Sequence, residues 1–303
     1  MTKCGWGVKN KDGAEIWDSD PVFPGDRVSL REKLILLFYP KKFFLYRSVR
    51  KHIHALTKRY ATIEGGQLYH PKILDVGCGT GAAVIDLKKM FGRSVDVIGV
   101  DIVQLQIELA QKKMKEHGVW VDLRHVDGDH LPFDTHSIDV VYTSDVLGHV
   151  RDVSAWLTEI NRVLKPGGTL AMFAESRLGR HAYIRQYLLR RGLNLDPHAE
   201  FHISLYSKNT LKELLQQAGF DVEVMYSTVW AKFFVHPDEL YPAFQNHGGF
   251  FFFRLVNALL YRLKKITHPF STALCELYSL VEMLTIGRFV ESQGYIILAH
   301  KKK

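Results

Sequence analysis

From residue 72 to residue 176 the chain alternates short β-branched runs with stretches of helical period, and nothing else in it constrains the fold as tightly. Strands are predicted at Lys72–Val76, Val95–Val100, Val121–Val126, Ile138–Tyr142 and Thr169–Ala174. Helices are predicted between them at 81–91, 104–117 and 152–164, the last stopped by Pro166-Gly167-Gly168. Helices of that length between strands demand crossover connections, hence βαβ units and a parallel sheet covered on both faces. A helix over Asn209–Ala218, stopped by Gly219, leads to a sixth strand at Phe220–Val229, and Gly294–Ala299 reads as a seventh. The expected class is α/β, with a doubly wound seven-stranded sheet.

The flanks divide the rest. Residues 1–70 read as an arm, irregular over 1–30 and helical in period over 30–60 with a break at Pro40, forming a helical lid. Residues 71–229 form the core, with a cap insertion at 177–205. Residues 230–291 are too long for a loop and read as a helical cap insertion before the last strand, which with a basic tail occupies 292–303. The Phe250–Phe253 run, with Leu255, Val256, Leu259, Leu260 and Tyr261 and flanking Arg254, Arg262, Lys264 and Lys265, reads as an amphipathic helix. It is suited to core packing, a substrate tunnel or a membrane surface.

Composition narrows the function classes. With 47% hydrophobic and 24% charged residues, the chain is neither disordered nor fibrous. Three scattered cysteines, Cys4, Cys78 and Cys275, make no disulfide framework or zinc site, so a reducing interior is expected. No apolar signal region opens the chain and no apolar run of about 18 residues occurs. A cytoplasmic protein, at most peripheral at a membrane, is expected. The net charge of +8 sits within residues 31–60, where nine basic side chains face one acid, Glu32. Interleaved with Phe38, Tyr39, Phe43, Phe44 and Tyr46, that segment suits a solvated helix pair, a membrane or a polyanion.

Asp75-Val76-Gly77-Cys78-Gly79-Thr80-Gly81 is the most informative loop. Glycines at a strand-to-helix turn let a ligand approach the backbone above a helix N-terminus. Their spacing is G-x-G-x-G, not the G-x-G-x-x-G of dinucleotide sites, and Asp75 would repel a pyrophosphate but attract a cationic amino group. Asp101, closing the second strand, suits both hydroxyls of a ribose. A nucleoside with a positive amino acid tail and no diphosphate has the shape of S-adenosylmethionine.

Here the sequence resembles the class I S-adenosylmethionine-dependent methyltransferases, in particular the ubiquinone/menaquinone-type and other small-molecule methyltransferases. Val126-Asp127-Gly128-Asp129-His130-Leu131-Pro132-Phe133 is similar to the family's D-[AG]-x-x-L-P-F segment. The stretches Ser137–Val150, Glu159–Gly168 and Leu211–Phe220 resemble its fourth-strand, pre-strand-five and pre-strand-six motifs. The resemblance covers 72–176 and 205–229. It implies a Rossmann-like fold, S-adenosylmethionine as methyl donor with S-adenosylhomocysteine as product, and contacts of Asp127 and Gly128 with the adenine. The candidate cofactor residues are Asp75, Gly77, Cys78, Gly79, Thr80, Gly81, Asp101, Ile102, Asp127, Gly128, Asp129 and Ser144.

The acceptor is less legible, because such proteins share a cofactor half and differ in the cap. His149 is a candidate general base, against a structural role common to family members of different chemistries. His202 is a second catalytic candidate. His198 and His202, if helical, would put two imidazoles on one face, but no third ligand follows at metal spacing, so no metal is expected. Arg177, Arg180, Tyr183, Arg185 and Tyr187 could meet an acidic substrate group. The expected activity is methyl transfer by in-line displacement to a small apolar or aromatic acceptor. The competing readings are an RNA, DNA or protein methyltransferase recruited by residues 31–60, and a non-catalytic scaffold. Nucleic acid is disfavoured, because the fourth-strand motif Thr143-Ser144-Asp145-Val146 lacks a Pro-Pro-aromatic sequence and the chain has no Pro-Cys dipeptide.

Overall fold

The computed structural model describes residues 8–9, 15–16, 18–25, 28–61, 69–196, 199, 201–228 and 230–303. Seven strands form the main sheet: β1 (Lys72–Val76), β2 (Asp96–Asp101), β3 (Asp122–His125), β4 (Ile138–Ser144), β5 (Leu164–Ala174), β6 (Phe220–Ser227) and β7 (Tyr295–Lys301). Their order is β3-β2-β1-β4-β5-β7-β6, and β7 runs antiparallel between β5 and β6. The chain leaves β1 toward one edge and returns at β4 to build toward the other. The crevice for a ligand therefore opens past the C-terminal ends of β1 and β4.

The period-2 alternation of the strands splits the core into two layers. Leu74, Val141 and Met172 face one side, where Leu157 and Ile160 of α5 (Val153–Val163) and Leu211 and Leu215 of α7 (Lys208–Gln217) pack on them. Ile73, Val140 and Ala171 face the other. There they meet Val84 and Leu87 of α3 (Ala82–Phe91), Ile107 of α4 (Gln104–Glu116), and Leu45, Tyr46 and Val49 of α2 (Pro40–Ala61). Both faces of the sheet are thus dry, as a doubly wound sheet requires.

Three local expectations are corrected. Pro166-Gly167-Gly168 does not stop α5, which ends at Val163. It lies inside β5, where the register with β4 jumps from Ile138↔Leu164 to Val140↔Thr169. Proline has no N–H for the ladder and Gly167 has φ +75°, so the chain bulges out of the strand and rejoins it. Pro40 does not break a helix but begins α2, where its missing N–H costs nothing; the break is the 3₁₀ turn Leu36–Phe38 after α1 (Leu30–Ile35). The arm is not wholly irregular. Val8–Lys9 pairs with Glu15–Ile16, and Val22 and Phe23 are buried in the core.

One face of the basic, aromatic segment 31–60 is core. Phe44, Leu45, Tyr46, Val49 and Ile53 are buried on the sheet, and two of the lysines turn inward, Lys41 to Asp145 at 2.6 Å and Lys42 to Asp86 at 3.2 Å. Asp86, fully buried on α3, also accepts hydrogen bonds from Val22 N (2.8 Å), Phe23 N (3.0 Å) and Tyr46 Oη (2.8 Å). One carboxylate therefore ties arm, α2 and α3 together.

The cap comprises α6 (Tyr183–Arg190), α8 (Lys232–Val235), α9 (Pro237–Gln245), α10 (Phe251–Ile266) and α11 (Phe270–Thr285). Leu188, Leu193, Leu195, Phe233, Leu240 and Phe244 give it a small core of its own, and α11 returns to the sheet through Leu280 and Met283. Among the described residues no helix is long and apolar enough to cross a membrane.

Candidate active site

The glycine loop after β1 is held by its own backbone. Gly77 N and Cys78 N both donate to Val100 O of β2, at 2.8 and 2.9 Å, so the loop hooks over the neighbouring strand. Gly77 (φ +77°) can have no side chain, since a Cβ there would lie 2.3 Å from Val146 Cγ2. Gly81, at φ +85°, caps α3 and allows Ala110 of α4 to approach. Cys78 is buried, and burial raises its thiol above the ordinary range, which disfavours a thiolate nucleophile.

Three acids stand at the C-terminal ends of three strands. Asp75 is buried on β1, and its Oδ1 has no hydrogen-bond partner among the described residues. Burial, then the nearby Asp101 carboxylate, hold its pKa well above the ordinary carboxylate value. Asp101 closes β2: its Oδ2 accepts from Gly79 N at 2.8 Å and its Oδ1 from Val103 N at 2.9 Å. Asp127, after β3, accepts from Asp129 N and His130 N, and those bonds lower its pKa. Gly128, at φ +94°, lets Ile102 lie close, and Ile102 turns an apolar side chain to solvent at 61% exposure.

The sequence motifs between these loops do structural work. Glu159 Oε1 accepts from Leu131 N at 2.8 Å, and Arg162 donates to Leu131 O, Phe133 O and Glu159, which fastens the 127–133 loop to α5. Asp139 accepts from Lys72 N and from Lys165, locking the β5 bulge to the start of β1 and β4.

Beside β4 the chain turns at Asp145, a non-glycine residue at φ +62°. Asp145 accepts from Ser144 Oγ at 2.7 Å and from Lys41, so the Ser144 hydroxyl is already committed within the site. Thr80 is likewise engaged. Its hydroxyl donates to Asp18 at 3.2 Å and accepts from Ser19 N and Lys113, which seats the arm against the loop.

His149 ends the 3₁₀ turn Leu147–His149 after β4, and its ring centroid lies 5.2 Å from that of His202, which comes from the cap. His198 and Glu200 lie outside the described residues. No helix carries His202: Ala199 and Phe201 are in turns and Ile203–Leu205 is irregular. The third side chain of ligand type, which spacing did not reveal, is Glu175, which follows β5. One ligand atom from each of His149, Glu175 and His202 falls within 4.8 Å of the others. Glu175 and Asp145 are the site residues sequence reasoning missed; an acid just past a predicted strand end was the available signal. Burial, then the Asp145 charge, push the Glu175 pKa up to about 7.

On the cap side, His181, Tyr183, Ile184, Arg185, Trp230, Phe233 and Phe234 enclose an apolar pocket between α6 and α8. Arg185 is 6% exposed, and its Nε and Nη1 have no hydrogen-bond partner among the described residues. Burial lowers its pKa, against the nearby Asp196 and Glu239 carboxylates. Of the five cap residues singled out in the sequence, Tyr183 and Arg185 line this pocket, while Tyr187 packs against Phe253 and Arg180 pairs with Glu291.

Residues 74–172 match the methyltransferase domain family. A demethylmenaquinone methyltransferase of Lactobacillus johnsonii is 34% identical over 162 residues, 48% of this chain and 66% of the relative. One from Staphylococcus saprophyticus is 40% identical over 107 residues, 35% of this chain and 45% of the relative. A solved S-adenosylmethionine-dependent methyltransferase from Aquifex aeolicus is 22% identical and covers 57% of this chain and 82% of its own, with a TM-score of 0.42. The chain thus spans less than two thirds of the length of the first two relatives. Residues 74–172, within a sheet ordered β3-β2-β1-β4-β5-β7-β6, thus form a methyltransferase domain of the class I S-adenosylmethionine-dependent type.

Proposed function

We propose that the protein transfers a methyl group from S-adenosylmethionine to a small apolar or aromatic acceptor. The observation that carries this is the row of acids at the C-terminal ends of three strands, with a buried Asp75 oxygen that has no partner among the described residues beneath a glycine loop. A buried carboxylate oxygen without a partner is costly, and a cationic amino group beside it removes that cost. Asp101 is already oriented by two backbone N–H groups, and each of its oxygens keeps a lone pair for a ribose hydroxyl. Asp127 and Gly128, with the exposed face of Ile102, would hold the adenine.

When bound, S-adenosylmethionine supplies a methyl group already activated by a sulfonium. The protein's task is to align the acceptor, exclude water and, where the acceptor carries a proton, remove it. The arm residues at Thr80 and the Lys41–Asp145 pair shield the cofactor side. His149, Glu175 and His202 gather past the ends of β4 and β5, and there an imidazole would take the proton of an acceptor that carries one. The apolar pocket between α6 and α8 supports the choice of acceptor, and Arg185 would pair an anionic group on it.

A second surface bears on where the acceptor is met. Phe251, Phe252, Leu255, Leu259, Leu263 and Ile266 recur at helical spacing on α10, each more than half exposed, and Phe270, Leu274 and Val281 of α11 are more than half exposed as well. Sixteen residues span about 24 Å, and exposed Arg262 and Lys265 flank the stripe. We infer that it rests on an anionic lipid surface. Sedimentation with phosphatidylglycerol vesicles tests this. Binding abolished by Leu259→Asp supports it, whereas failure to bind, with dimers in solution, assigns the face to a second copy.

Incubation with methyl-labelled S-adenosylmethionine and a cell lysate, followed by partition, tests the acceptor. Label in the organic phase supports a small apolar acceptor. Label in RNA or protein overturns it.

A further inference from the structure

We propose that His149, Glu175 and His202 bind a divalent first-row transition metal ion, such as zinc or iron(II). The three side chains come from different elements, the turn after β4, the end of β5 and the cap, yet they present one ligand atom each within 4.8 Å of one another. Two imidazoles and one carboxylate form a set that suits such ions, and three protein ligands leave open positions for water or an oxygen of a bound molecule.

The surroundings are arranged as ligand surroundings are. His202 Nδ1 lies 2.8 Å from Asp196 Oδ2, and both side chains are at least nine-tenths buried. An ionised carboxylate only accepts, so Nδ1 carries the proton, and in the neutral imidazole the lone pair offered to a metal is then that of Nε2. Glu175 Oε2 accepts from Gly148 N at 3.3 Å, which orients the carboxylate. Gly148 also lets the ligands close up, because a Cβ there would lie 3.0 Å from His202 Cδ2 and 3.2 Å from Glu175 Oε2. Gly148 O accepts from Ile203 N and Ser204 N, so the backbone beside His149 is bonded directly to the backbone beside His202.

Burial of an acid between two histidines also admits a purely structural cluster, and metal titration separates the two. Protein stripped with a chelator is dialysed against Zn²⁺, with bound ion counted by elemental mass spectrometry, and titrated with Co²⁺ while its ligand-field absorption is followed. The expected result is one ion per chain, with binding lost in His149→Ala, His202→Ala and Glu175→Gln. Asp196→Asn, which removes no ligand, should weaken binding by about 10–100-fold. The exposed His54→Ala should bind as the native protein does. Failure of the native protein to bind in a saturable way overturns the proposal, as does stoichiometric binding that survives all three ligand substitutions. Circular dichroism of each variant identifies any that fails to fold, and the native protein and Asp196→Asn then decide the matter. Calorimetric binding of S-adenosylmethionine to the stripped protein reports on the methyltransferase reading separately, since the cofactor residues are not metal ligands.

Discussion

Replacing Asp86 with alanine should loosen the protein at the point where its N-terminal arm meets the cofactor domain. The carboxylate is fully buried and accepts from two backbone amides, the Tyr46 hydroxyl and the Lys42 ammonium. Alanine leaves all four donors without this acceptor, including the partly buried Lys42 ammonium. Breaking a buried charged pair from one side costs about 3–5 kcal/mol. For a chain of this size each kcal/mol moves the melting temperature by about 2–4 °C, so a fall of about 10 °C is expected. Asp86→Asn keeps the volume and one acceptor oxygen but turns an N–H₂ toward donors, and should cost about 1–3 kcal/mol. Urea unfolding followed by circular dichroism gives both values. Amide exchange at Val22 and Phe23 should accelerate in both variants, more in alanine. Because Ser19 and Asp18 rest on Thr80, cofactor affinity should fall with it. A loss of stability below about 1 kcal/mol in Asp86→Ala would refute the view that this carboxylate anchors the arm.

Other outcomes follow from single contacts. Gly77→Ala must adopt a left-handed backbone at about 1–2 kcal/mol and push Val146 aside, so it should weaken S-adenosylmethionine binding at least about tenfold in a fluorescence titration. Arg162 holds the Glu159 carboxyl down to about 2, so the stability Glu159 contributes is present above pH 4.5 and lost as pH falls toward 2. Native and Glu159→Gln melting curves should therefore converge over that window, and parallel curves would exclude the clip on the 127–133 loop. Arg185→Met should raise KM for an anionic acceptor while cofactor affinity, measured by calorimetry, stays unchanged.

The parts legible in the sequence are those that depend on local pattern. Alternation at Ile73–Val76, Val97–Val100 and Val140–Tyr142, with glycine turns and helices between, dictates a covered parallel sheet. Asp75, Asp101 and Asp127 stand out because an acid at a strand end needs no long-range information to be placed. Glu175 carried the same strand-end signal, but its meeting with His149 and His202 depends on the path of the cap. The aromatic residues of 31–60 were ambiguous because core and membrane faces share one composition; the sheet face decides it for Phe44 and Tyr46, while Phe38 and Tyr39 stay exposed. Pro166-Gly167-Gly168 misled for a physical reason. The residues that stop a helix also make a strand bulge, and only the register against β4 distinguishes the two.

The central claim is that the strand-end acids hold S-adenosylmethionine, and calorimetric titration of the purified protein tests it most directly. One-site binding is expected, weakened at least about tenfold in Asp101→Ala through loss of two charge-assisted hydrogen bonds to the ribose. No binding by the native protein, or equal binding by Asp101→Ala, would contradict it.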